Sequence, residues 1–134
     1  MDDPNQPNLD LIGMVQRARM EHDAEAQPSR VSAVYWIEAK RQTDGAAPTL
    51  RAGHWLIRTD LREVDAQWAK IKAATTGGSL GYKSKVATAG RARADERVIH
   101  VMTYDADDSA DVARVRAALI DLGFGGNLVY EGAS

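Results

Sequence analysis

The chain has 134 residues, 44% apolar and 27% charged, a size and balance that fit one folded domain and exclude a chain disordered throughout. It contains no cysteine, so disulfides, thiolate nucleophiles and cysteine-bound zinc are excluded, and its three histidines are too far apart in sequence to suggest a zinc-binding helix. The net charge of −2 argues against a dedicated nucleic-acid binder. Met1-Asp2-Asp3-Pro4 does not read as a signal peptide, and no apolar run approaches the roughly 18 residues of a membrane helix. We therefore expect a cytoplasmic protein without membrane association.

Residues 1–7 read as a tail, and Asn8 or Asp10 is placed to cap a first helix through about Ala26, ended by Pro28. Residues 1–30 are thus expected to hold a tail and a helix, and residues 31–134 a single α+β domain. Val31–Lys40 is rich in β-branched and aromatic residues and reads as a strand, followed by a loop to about Ala52. Gly53–Thr59 is a second strand. Asp60 and Glu63 have the spacing of a capping box, so the next helix is expected to begin there. Leu61, Val64, Trp68 and Ile71 recur along one stripe of it, and Gly77-Gly78 ends it.

Leu80–Thr88 and Val98–Tyr104 read as a third and fourth strand, joined as a hairpin through the basic stretch Gly90-Arg91-Ala92-Arg93. Asp107, Asp108 or Ser109 caps a last helix with its apolar stripe at Val112, Val115, Leu119 and Leu122, ended by Gly123. A final strand covers about Asn127–Glu131. This order predicts a mainly antiparallel sheet with helices on one face and the other face open, with a ferredoxin-like arrangement as the alternative.

Charge is unevenly distributed. Residues 51–97 carry ten basic and five acidic side chains, whereas 98–134 carry two basic and six acidic. A basic middle attracts anions even in a slightly acidic protein, because potential depends on local arrangement. Strand alternation says where those cations point. With Trp55, Ile57, Val86, Ile99 and Val101 turned toward the helices, the open face gathers His54, Arg58, Lys83, Lys85, His100 and Tyr104.

Two lysines two positions apart on one strand favour a neutral amine able to act as a base, and Arg58 or Arg91 can clamp phosphate oxygens in a fork. His54, at the start of a strand, is suited to bind an anion or give up a proton. Trp36, Trp55 and Trp68 are assigned to the core, with a stacking platform as the alternative. Ser/His/Asp catalysis and a phosphate-binding glycine loop have no support, since no nucleophile-elbow pattern surrounds a serine and Gly77-Gly78-Ser79-Leu80-Gly81 lacks the lysine and hydroxyl of such a loop.

The strings Gly53-His54-Trp55-Leu56-Ile57, Val64-Asp65 with Trp68, and Gly78-Ser79-Leu80-Gly81-Tyr82-Lys83-Ser84-Lys85-Val86-Ala87-Thr88 occur in order. They are followed by Val98-Ile99-His100-Val101-Met102-Thr103-Tyr104-Asp105 and Asp111-Val112-Ala113-Arg114-Val115-Arg116. Over about residues 33–131 the sequence resembles proteins related to the mammalian basophilic-leukaemia-expressed protein, in bacteria often described as phosphothreonine lyase domain proteins. The resemblance implies a fold like that of the translation-initiation cap-binding protein, a curved antiparallel sheet with helices on its convex side. It further implies a distant relation to effector lyases that eliminate phosphate from phosphothreonine without metal or cofactor.

Carried over by position, the resemblance puts Lys85 where the lyases have their base and makes Arg91 a phosphate ligand. It puts His54 where a phosphate-binding lysine stands, and Leu56 where the lyases have an acid. The candidate catalytic pair is Lys85 as base and His54 as substitute acid, with Arg58, Lys83, Arg91, His100 and Tyr104 as candidate phosphate-binding residues. The first expectation is binding of a phosphorylated ligand, whether a phosphopeptide, nucleotide or RNA end, without turnover. Phosphothreonine or phosphoserine β-elimination is the second, and a domain that dimerises through its sheet is the third.

Overall fold

The computed structural model describes residues 26–29, 36–88, 95–126 and 128–132. The elements, in order, are β1 (Trp36–Lys40), β2 (Gly53–Asp60), α1 (Val64–Thr76), β3 (Lys83–Ala87), β4 (Glu96–Thr103), α2 (Ser109–Asp121) and β5 (Val129–Glu131). The proposed N-terminal tail, the body of the first helix and the Val31–Tyr35 part of the first strand lie outside the described residues. So does Arg91.

Among the described residues five strands form one sheet in the order β1-β3-β4-β2-β5, and every neighbouring pair is antiparallel. The fold is α+β. β4 fills the gap between β2 and β3, which α1 connects, and β2 fills the gap between β4 and β5, which α2 connects. This interleaving is the split βαβ pattern, with β1 added beside β3.

Why one face is covered follows from the alternation of side chains. Along β4 the odd positions Arg97, Ile99, Val101 and Thr103 are buried and the even positions half-buried. On β2 the buried residues are Gly53, Trp55 and Ile57. Trp55, Ile57, Ile99 and Val101 join Ile37, Val86, Val64, Trp68, Ile71, Val115 and Leu119 in one core cluster, so α1 and α2 lie on the same face of the sheet. Ile37, Ile71, Ile99 and Leu119 are wholly withdrawn from water, each worth roughly 1.5–3 kcal/mol of apolar transfer. Among the described residues no helix is long and apolar enough to cross a membrane.

Polar contacts fix the layers. Trp55 Nε1 donates to the Val112 carbonyl at 3.1 Å, tying β2 to α2, and the buried hydroxyls of Thr75 and Ser84 hydrogen-bond at 2.6 Å, tying α1 to β3. Tyr130 on β5 reaches across β2 to hydrogen-bond Thr103 on β4 at 2.8 Å. It crosses at Gly53, where any β-carbon would collide with the phenol.

One helix start differs from the expectation. Asp60 is the last residue of β2, and its Oδ1 accepts from the backbone N–H groups of Arg62 and Glu63 at 2.9 and 3.0 Å. An aspartate bonding the backbone two residues on closes a turn, so α1 starts at Val64, and its N-cap Glu63 makes no side-chain cap. The second start is as expected, with Asp108 accepting from Asp111 N at 3.0 Å.

Candidate functional site on the open face

The open face is ordered by register. One row of outward residues runs Glu38, Lys85, His100, Leu56 and Val129 from β1 to β5, and the next runs Lys40, Lys83, Met102, His54 and Glu131. His100 sits on the central strand with Lys85 directly opposite on β3 and Leu56 opposite on β2. His54 and Arg58 flank Leu56 on the same face, which makes both diagonal neighbours of His100, roughly 7–8 Å away and within reach of long side chains.

Side-chain contacts confirm part of this grouping. The imidazoles of His54 and His100 stack with centroids 4.1 Å apart, 8° from parallel. Lys85 Nζ lies 4.3 Å from the centre of the Trp36 ring, in cation–π range, and the same ring is 4.9 Å from that of His100. β1 and β4 are two strand spacings apart, roughly 10 Å, so the indole must lie across β3 to touch His100. Ala87, the register partner of Trp36, has open-face parity yet is only 3% exposed. A methyl group at that position leaves room for the ring.

This corrects the assignment of the tryptophans. Trp55 and Trp68 are core residues, but Trp36 is half-buried on the open face, where it is a wall against Lys85 and His100. The run Tyr35-Trp36-Ile37 is apolar on both parities and hides which side chain faces out. Carboxylates also belong to the face, and two that contact its cationic or imidazole groups, Glu38 and Glu131, were not flagged by sequence reasoning. Glu38 Oε1 lies 3.6 Å from Lys83 Nζ, and Glu131 Oε2 lies 3.0 Å from His54 Nε2.

Not all the candidate residues converge. Lys85, His100 and His54 meet, Arg58 shares their face at the next position along β2, and Lys83 is drawn toward Glu38. Tyr104 is elsewhere. β4 ends at Thr103, and the β1–β2 loop then ties the chain down, with Thr49 N donating to the Tyr104 carbonyl at 2.9 Å and Ala106 N to that of Arg51 at 2.6 Å. The Tyr104 hydroxyl donates to Asp108, a bond that pushes the phenol pKa up to about 12 and holds the carboxyl of Asp108 below the usual range.

Tyr104 lines a separate cleft of about 250 Å³ together with Arg41, Asp44, Tyr82, Asp111 and Arg114. Its arginines are engaged with the protein itself: Arg114 donates to the Ser79 and Leu80 carbonyls at 3.2 and 3.0 Å and Arg41 to that of Ala46 at 3.0 Å. Nearby, Arg51 forks onto Asp105 at 3.1 and 2.8 Å. That pairing holds the Asp105 carboxyl below its ordinary value.

No curated protein matches the chain. A model of the family described as Basophilic leukemia-expressed protein Bles03 matches residues 16–128, a stretch that takes in every element from β1 to α2. The sheet that carries Lys85, His100 and His54 is therefore almost wholly family sequence, and the chain belongs to the Bles03 family.

Proposed function

We propose that this protein binds a phosphorylated ligand on the open face of its sheet, without turnover. The observation that supports the reading is the register pairing of Lys85 with His100, with Arg58 on the same face and Trp36 in contact with both Lys85 and His100. An ammonium and an imidazole opposite one another, with a guanidinium on the same face, offer charge-assisted hydrogen bonds to a phosphate monoester. Backbone pairing fixes the strands that present them, so part of the ordering cost is met before the ligand arrives.

Binding alone is proposed because elimination also needs a proton donor for the departing phosphate. The position that the resemblance matches to the lyases' acid is Leu56, opposite His100 on β2, which has no proton to give. His54 is two positions away, its Nε2 3.0 Å from Glu131 Oε2.

The test is calorimetric titration with a phosphothreonine peptide and its unphosphorylated twin. Saturable binding of the phosphorylated form only, weakened by salt and by Lys85→Ala, with no loss of phosphoric acid by mass spectrometry, is the expected result. Equal binding of both peptides removes the phosphate reading, and release of phosphate replaces binding with lyase activity.

A further inference from the structure

Resting on the phosphate site just described, we infer that the ligand is a phosphopeptide carrying a lysine or arginine about three residues from the phosphorylated one, and that Glu131 reads it. The β5 margin of the open face has two exposed features. Val129 is 53% exposed and lies opposite Leu56, and the side chain of Glu131, two positions on, is 55% exposed and lies opposite His54. Leu56 and Val129 thus make a short apolar floor with a carboxylate beside it. That combination suits a long basic side chain, which lays its methylenes on apolar surface and keeps its charged head on a carboxylate.

Spacing sets the separation. Glu131 lies two strand spacings across from His100 and two residues along, roughly 12 Å, which an extended peptide covers in about three to four residues. The contact of Glu131 Oε2 with His54 leaves Oε1 and further lone pairs of the carboxylate for an incoming donor.

Charge also disfavours a polyanion. A nucleic-acid backbone needs a track of cations, but carboxylates stand at both margins of the face, Glu131 beside His54 and Glu38 beside Lys83.

The experiment compares fluorescent phosphothreonine peptides with arginine at +3, at −3, at neither position, or glutamate at both, alongside a 5′-phosphorylated RNA oligomer. Anisotropy titrations use the wild type, Glu131→Gln, Glu131→Lys and Lys85→Ala, with circular dichroism to check that each folds. One arginine peptide is expected to bind wild type about three- to fivefold tighter than the neutral peptide, the range of an exposed ion pair. Glu131→Gln should bring that ratio to about one, and Glu131→Lys should favour the glutamate peptide.

An arginine preference that persists in Glu131→Gln, or equal binding of all the phosphopeptides, overturns the role of Glu131 while leaving phosphate binding intact. Tighter binding of the RNA overturns the peptide class. Failure of every phosphorylated probe removes the underlying site and this inference together.

Discussion

His100 is stacked on His54, 4.1 Å between ring centroids, although the register pairs His100 with Leu56 and His54 with Met102. The contact is diagonal, and it places His100 between two rings, with Trp36 on its other side at 4.9 Å. Because His100 also faces Lys85, its loss should be felt most. His100→Ala is expected to weaken phosphothreonine-peptide binding about 10- to 100-fold, the range of a lost charge-assisted hydrogen bond. His54→Ala is expected to cost only a few-fold, and side-by-side calorimetry distinguishes the two.

Trp36 offers a second separation of effects. Its ring touches Lys85 and His100 rather than the core, so Trp36→Leu should reduce affinity about three- to tenfold while changing stability by about 1 kcal/mol or less. Trp68 is 1% exposed within the core, and Trp68→Ala should destabilise by about 3–5 kcal/mol. Urea denaturation read beside binding checks both halves.

The faces of β2 and β4 could be read from the sequence because Trp55, Ile57, Ile99 and Val101 alternate with His54, Arg58 and His100 there. The helix stripes were equally plain. Trp36 was not, since it lies in the consecutive apolar run Tyr35-Trp36-Ile37 and the deciding fact, the small Ala87 beside it, depends on a register that only the folded sheet sets. Glu38 and Glu131 escaped notice for a related reason: their partners lie 45 and 77 residues away in sequence. Tyr104 has the right parity, but the strand ends one residue before it, where loop hydrogen bonds from Thr49 take over.

Tyr104 should be the last tyrosine to ionise. Its hydrogen bond to Asp108 pushes the phenol to about 12, so the neutral form is favoured by folding. The stability this adds is complete below the ordinary value of 10 and is lost as pH rises through the raised one. Carbon-13 spectra of the four tyrosines at about pH 11, where an ordinary phenol is mostly ionised, are expected to show Tyr104 still protonated. Tyr104→Phe should remove that signal.

Asp105 works in the opposite direction. Arg51 holds its carboxyl below the ordinary 3.8, so the added stability is full above that value and disappears as pH falls through the lowered one. Arg51→Ala is expected to lower the urea midpoint at pH 7, with the gap to wild type narrowing from about pH 4 downward. A gap independent of pH contradicts this origin.

The most direct measurement is nuclear magnetic resonance mapping of a phosphothreonine peptide titrated into isotope-labelled protein, observing lysine, arginine, histidine and tryptophan side chains. Saturable shifts centred on Lys85, His100, Arg58 and Trp36 are expected. Shifts confined to Arg41 and Arg114 in the other cleft, or no shifts at all, contradict phosphate binding on the open face.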